Sequence, residues 1–133
     1  MAQFLLDTNI ISHLLRHPRG AAGARIALVG DSRICTSIIV AAELRYGTAK
    51  KGSTRLAAEV EAVLGRISVR PVEAPTDTLY GTLRAYLEST GRVIGGNDLL
   101  IAAHAMALNC TLVTNNDREF SRIPGLAVEN WLA

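Results

Sequence analysis

Four acidic interruptions stand out in a chain that is otherwise apolar and alanine-rich: Asp7, Glu43, Asp98 and the run Asn115-Asn116-Asp117. Each follows an apolar strand-like segment or lies on a helix with the pattern of a buried one. Carboxylates gathered in one place repel and raise one another's pKa unless a cation neutralises them. Hard divalent ions do this, and Mg²⁺ or Mn²⁺ suits a site of carboxylates and water that receives a phosphate. With such an ion a cleft activates water and stabilises the leaving oxygen of a phosphodiester. No Ser–His–Asp pattern, glycine-rich phosphate loop or zinc-spaced Cys/His set in the sequence points elsewhere.

The surrounding elements decide whether these acids converge. Phe4-Leu5-Leu6 reads as a short, fully buried strand. Helical spacing (Ile10, Ile11, Leu14, Leu15) begins at once behind Asp7-Thr8-Asn9, so Asp7 sits where a strand hands over to a helix. In open parallel sheets ligands bind at the carboxyl ends of the strands. The same place suits a helix cap, and capping by Asp7 or Thr8 is the competing reading.

His17-Pro18-Arg19-Gly20 breaks the pattern, and a short helix over 21–29 closes at Gly30. A second buried strand over 33–36 follows. Ser37 then caps a helix over 38–50. Glu43 lies four past Ile39 and four before Gly47, on or beside the apolar stripe. A carboxylate there is costly unless paired or metal-bound, or else it reaches water at the stripe's edge. Ser53 caps a further helix through about Ile67, with Leu56, Val60, Val63 and Leu64 inward. The segment Val69-Arg70-Pro71-Val72 reads as a strand at a sheet edge, because Pro cannot donate to a ladder. Pro75-Thr76-Asp77 opens a helix with Leu79, Leu83, Tyr86 and Leu87 at core spacing, stopping at Gly91.

The helix over 99–108 is apolar almost all round, which places it inside, close against the sheet. Asp98 is the one acid at its entrance. It suits a cap, but Asn97 can cap as well, so Asp98 is surplus to that need. His104, within the helix and without a second His or Cys at ligand spacing, reads as a satisfied core histidine. A strand over 110–114 ends in the polar run, and 126–131 makes a last edge strand. Strands alternating with helices give one domain over 1–133: a three-layer α/β/α sandwich with a mostly parallel sheet of four to five strands.

The 133 residues suffice for a real core, which 49% hydrophobic and only 5% aromatic residues make aliphatic. No apolar run approaches the roughly 20 residues of a membrane span, and no secretory signal pattern opens the chain. A soluble, cytoplasmic protein without a membrane partner is expected. Cys35 and Cys110 lie in apolar strand-like runs, which favours buried free thiols. A net charge of +2 does not argue for nucleic-acid binding by itself, but a local basic rim suffices. Arg16, Arg19, Lys50, Lys51, Arg92 and Arg118 lie near predicted loops and could form one, or be ordinary solvated charge.

Four segments together resemble the PIN-domain ribonucleases, and specifically the VapC toxins of bacterial toxin–antitoxin pairs. They are Leu5-Leu6-Asp7-Thr8-Asn9-Ile10-Ile11, Ser37 with Val40-Ala41-Ala42-Glu43-Leu44-Arg45-Tyr46-Gly47, Gly95 to Ala105, and Val113-Thr114-Asn115-Asn116-Asp117-Arg118-Glu119-Phe120. They occur in the family's order and span essentially the whole chain. The resemblance implies a Mg²⁺-dependent endoribonuclease in which Mn²⁺ can substitute, a homodimer, and a small VapB-like antitoxin that blocks the cleft. It makes Asp7 and Asp98 metal ligands and Glu43 an acidic site member that binds metal directly or through water. One departure stands out. The family's fourth acid usually stands two residues after the strand-ending Thr, where this chain has Asn116; Asp117 follows one residue later and either takes that place, as the candidate fourth catalytic acid, or faces solvent. Thr8, Asn9, Ser37 and Asn115 are polar residues placed to support the acids or a phosphate, and capping or turn formation accounts for each of them equally well.

Other classes share parts of this pattern. A haloacid-dehalogenase-like phosphatase also begins with a strand ending in Asp, but needs a second Asp where Asn9 stands. A receiver-like domain needs an acidic pair at the first strand and a late lysine, and no Lys follows Lys51. A non-catalytic RNA-binding PIN domain has no need of three retained acids.

Overall fold

The computed structural model describes residues 3–133. Five strands form one sheet in the order β3-β2-β1-β4-β5, every pair parallel: β1 (Gln3–Leu6), β2 (Ile34–Ser37), β3 (Ser68–Arg70), β4 (Cys110–Val113) and β5 (Val128–Glu129). Seven helices connect them: α1 (Thr8–Arg16), α2 (Ala21–Val29), α3 (Ile38–Lys51), α4 (Thr54–Arg66), α5 (Thr76–Ser89), α6 (Gly96–Ala107) and α7 (Asp117–Phe120). A 3₁₀ turn, Asp31–Arg33, precedes β2.

The chain steps from β1 to β2 to β3 in one direction, then crosses back over β1 to β4 and β5. Parallel crossovers are right-handed, so this reversal puts α1–α4 on one face and α5–α7 on the other. It also makes the β1–β4 boundary the switch point of the sheet, where a crevice opens beyond the strand ends. Leu5, Leu6, Leu112 and Val113 are buried in the two central strands. The small residues Ala102, Ala103 and Ala105, all buried, let α6 lie close to the sheet. Phe4 and Trp131 seal the far side with their rings 5.1 Å apart.

The expected three-layer architecture is present, with all strands parallel rather than most. Several local boundaries differ. Arg33 belongs to the 3₁₀ turn, and β2 runs on to Ser37, which also caps α3 through a 3.0 Å bond from the Ile39 N–H to its Oγ. β3 is the edge strand that the proline suggested, but it ends at Arg70, before Pro71 leaves the ladder without a donor. Tyr86 is exposed; Tyr80, six residues earlier on the same helix, packs against the core instead. Position 86 falls on the flank of the α5 stripe defined by Leu83 and Leu87. Cys35 and Cys110 are buried free thiols with their sulfurs 3.8 Å apart. Among the described residues no helix is long and apolar enough to cross a membrane.

Candidate active site

Asp7 ends β1 at the switch point. Its backbone N–H still donates to the Val113 carbonyl of β4 (2.9 Å), while its side chain caps α1, Oδ1 accepting from the Thr8 N–H (2.8 Å). Oδ2 accepts from Thr114 Oγ1 (2.8 Å) and Asn9 Nδ2 (3.2 Å). Capping and a place among the acids are therefore not alternatives here; one carboxylate caps α1 and lies beside Glu43. Only 3% of Asp7 is exposed. Burial raises its pKa, and the nearby Glu43 charge adds to this, against the lowering effect of the three donors.

Asn9 stands where a dehalogenase-type phosphatase needs its second acid, and it has a different task. Besides holding Asp7, its amide donates to Thr114 Oγ1 (3.2 Å) and its Oδ1 accepts the Asn115 N–H (2.9 Å). It ties the end of β1 to the loop after β4. Thr114 itself is buried and accepts the Asn116 N–H (3.0 Å). The polar residues after both strands thus form one rigid clamp around Asp7.

Glu43 reaches the clamp from α3. It is half-buried, and Oε1 accepts from Thr8 Oγ1 at 2.5 Å. It lines a cleft of about 330 Å³ between α1, α3 and α4, together with Thr8, Arg16 and Lys51. The position beside the apolar stripe is explained by this cleft: Leu44 turns into the core while Glu43 faces the opening.

Asp98 comes from the other face. The N-cap of α6 is Gly95, and neither Asn97 nor Asp98 caps the helix. Asp98 occupies its first turn, half-buried, with no hydrogen bond among the described residues. Its pKa is pushed up to about 6, by burial first, then by the charges of Asp7, Glu119 and Glu43. Three acids from three separate elements therefore converge on the one that has no donor.

Glu119, whose charge acts on Asp98, is an acid that sequence reasoning did not single out. It is half-buried on α7, and Asn116 Nδ2 donates to its Oε2 at 2.7 Å. Asp117, by contrast, is exposed and accepts from Asn130 Nδ2 (3.3 Å), away from the acids that perturb Asp98. The reason is helical. Asp117 opens α7 and points off its outer side, whereas Glu119 lies two residues on and faces the crevice. Asn116 supports this acid rather than replacing it. The signal available was the second acid in Asn116-Asp117-Arg118-Glu119, three residues past Asn116.

Of the remaining expectations, Ser37 serves α3 and His104 rather than the acids. Asn115 contributes its backbone N–H. Arg16 and Lys51 lie at the cleft, whereas Lys50 sits over the Tyr46 ring and Arg19, Arg92 and Arg118 are exposed elsewhere.

The donor set is all oxygen, which suits a hard divalent cation better than zinc or a soft metal. As the side chains lie, no three His, Cys, Asp or Glu groups among the described residues close on one point. Asp7 and Glu43 are turned into their Thr and Asn donors. The unsatisfied, charge-crowded Asp98 is the group with most to gain from a cation.

The PIN domain family matches residues 4–126. The chain is 43% identical over 130 residues to "Ribonuclease VapC2" of Rickettsia felis, covering 96% of this chain and 97% of that protein. It is 36% identical over 132 residues to the "tRNA(fMet)-specific endonuclease VapC" of Shigella flexneri, covering 98% and 99%. Among solved structures, DNA-bound VapBC from Salmonella typhimurium superposes with a TM-score of 0.90 at 36% identity, covering 98% of this chain and 99% of that one.

Proposed function

The chain belongs to the PIN-domain family and, within it, to the VapC ribonucleases; on that premise we propose that it is a divalent-cation-dependent endoribonuclease, the toxin of a pair with a VapB-like antitoxin. The observation that carries the mechanism is the convergence of Asp7, Glu43 and Glu119 on the hydrogen-bond-free Asp98 at the sheet's switch point.

Asp7, Glu43, Asp98 and Glu119 would hold Mg²⁺, or Mn²⁺ in its place; Asp117 lies outside the set. When bound, such an ion supplies positive charge to a phosphodiester and lowers the pKa of water beside it. The protein's own groups do the rest. The Thr8–Asn9–Thr114 clamp fixes Asp7, so that the reorganisation cost is met by the fold and not during reaction. Thr8 orients Glu43 through Oε1. Asp98, with the least satisfied carboxylate, is the acceptor for a proton from the attacking water. As water adds to phosphorus and passes that proton to Asp98, one P–O bond of the RNA backbone breaks and the leaving ribose oxygen takes up a proton from solvent.

RNA is the substrate, and tRNA is the first to try, since the Shigella flexneri relative is named for it. The antitoxin partner follows from the VapBC complexes among the structural relatives. We read the protein as cytoplasmic, one nuclease domain over 1–133, and homodimeric. The test is direct. Purified away from antitoxin, the chain cuts tRNA in Mg²⁺ or Mn²⁺ and stops in excess chelator. Cleavage that persists in chelator, or in Asp7→Asn, refutes the mechanism.

A further inference from the structure

Resting on the nuclease reading, we infer that the cleft beside Glu43 is the seat of an unpaired RNA nucleotide next to the scissile phosphate, with Arg16 and Lys51 as its phosphate contacts and Gly47 as the gap that admits its base.

The cleft shares Thr8 and Glu43 with the carboxylate cluster, so whatever fills it lies beside those acids. Its volume, about 330 Å³, lies in the range of small-molecule sites. The floor is apolar, formed by Leu15, Leu44, Leu56 and Val60, which suits the flat face of a base. Cations stand at the rim. Arg25, Arg45, Arg55, Arg66 and Arg84 are engaged with acids. Arg16 and Lys51 are exposed and make no ion pair among the described residues. Two cations free to meet phosphate, over an apolar floor and beside a carboxylate cluster, have the charge pattern of a nucleotide. They do not have that of a purely apolar ligand, which would leave both cations unused.

Gly47 supplies an independent observation. It lies inside α3, one turn beyond Glu43, and a helical glycine costs about 1 kcal/mol relative to alanine. Close packing does not require it, because a Cβ built there meets nothing within 4 Å. Gly65 and Gly81 are equally uncrowded but face solvent, whereas Gly47 lines the cleft. What the missing side chain leaves is room in the cleft itself.

The experiment compares tRNA cleavage in Mn²⁺ by wild type, Arg16→Ala/Lys51→Ala, Gly47→Leu and the solvent-facing control Gly65→Leu, over a series of salt concentrations. The double variant should raise KM about tenfold and flatten the dependence of log KM on log salt by about 1.4, or about 0.7 for each phosphate contact on a single strand. Gly47→Leu should raise KM at least as much, with an unchanged salt slope and a melting temperature equal to or above wild type. Gly65→Leu should share the gain in melting temperature and keep the wild-type KM. Active wild type with unchanged KM and salt slope in the cleft variants overturns this inference and leaves the nuclease reading standing. Wild type that neither binds nor cuts RNA overturns both. Cleft variants that cut normally but escape silencing by co-purified antitoxin assign the cleft to the protein partner, and the inference again fails.

Discussion

Ser37 and Asp7 end adjacent central strands, β2 and β1, and both cap the helix that follows. Their surroundings differ in one respect. Ser37 belongs to a closed neutral chain: its Oγ accepts the Ile39 N–H and bonds His104 Nδ1 at 2.8 Å, while His104 Nε2 meets the Pro71 carbonyl at 3.0 Å. The carbonyl can only accept, so Nε2 carries the proton and Nδ1 accepts from the Ser37 hydroxyl. Burial holds the His104 pKa below its usual value, which keeps the ring neutral. Asp7 is as well bonded, yet it faces Glu43 and Asp98, and no cationic side chain among the described residues offsets their charge. Polar groups at equivalent places on a sheet thus do opposite things. One cluster is neutral and satisfied and serves the fold; the other gathers like charge, as the proposed cation site requires.

The comparison breaks first on activity. Asp7→Asn or Asp98→Asn should lower tRNA cleavage by at least about 100-fold, the scale of losing one preorganised electrostatic group, at near-normal yields of folded protein. His104→Ala should do the reverse. Stranding the Ser37 hydroxyl and the Pro71 carbonyl in a small cavity should cost about 2–4 kcal/mol in urea unfolding. Its cleavage rate per folded molecule should stay near wild type at a temperature where it is folded. A His104→Ala variant that is stable but inactive would mean the two clusters are not separate.

A smaller effect sharpens the membership of the acidic cluster. Glu119→Gln should raise the Mn²⁺ concentration for half-maximal cleavage several-fold, and Asp117→Asn should leave it near wild type. The opposite order would put Asp117 in the set.

Much of this was legible in the sequence where residue type and period agreed. The buried strands β1 and β4, the caps Ser37 and Ser53, and the core His104 followed from local patterns. Asp7, Glu43 and Asp98 stood out because each interrupts an apolar segment. Glu119 did not, since it sits among other polar residues in a one-turn helix, and only the angle of α7 separates it from Asp117. The capping question at Asp98 was likewise tertiary: Gly95, with no side chain to offer, starts the helix three residues earlier. The dual role of Asp7 was hidden because Thr114, 107 residues away, supplies the second half of its clamp.

Acidity should expose the same contrast more gently. Asp98 holds its proton up to about 6 in the folded protein, against an ordinary value of 3.8. Between those values the folded state binds more protons than the unfolded one, so stability is lost as pH rises through about 6. Asp7, raised by burial, acts in the same direction. Metal-free protein should therefore melt higher at pH 5 than at pH 7, and Asp98→Asn should shrink that difference. No such difference, or one that Asp98→Asn leaves intact, would show that the acids are not crowded.

The central claim is that these acids form a cation site, and thermal melting in Mn²⁺ tests it without relying on catalysis. In chelator Asp98→Asn should melt at or above the wild-type temperature, because one of several repelling charges is gone. Added Mn²⁺ should raise the wild-type melting temperature by preferential binding to the native state, and raise that of Asp98→Asn less. Equal Mn²⁺ responses in the two proteins, or none in wild type, would contradict the account.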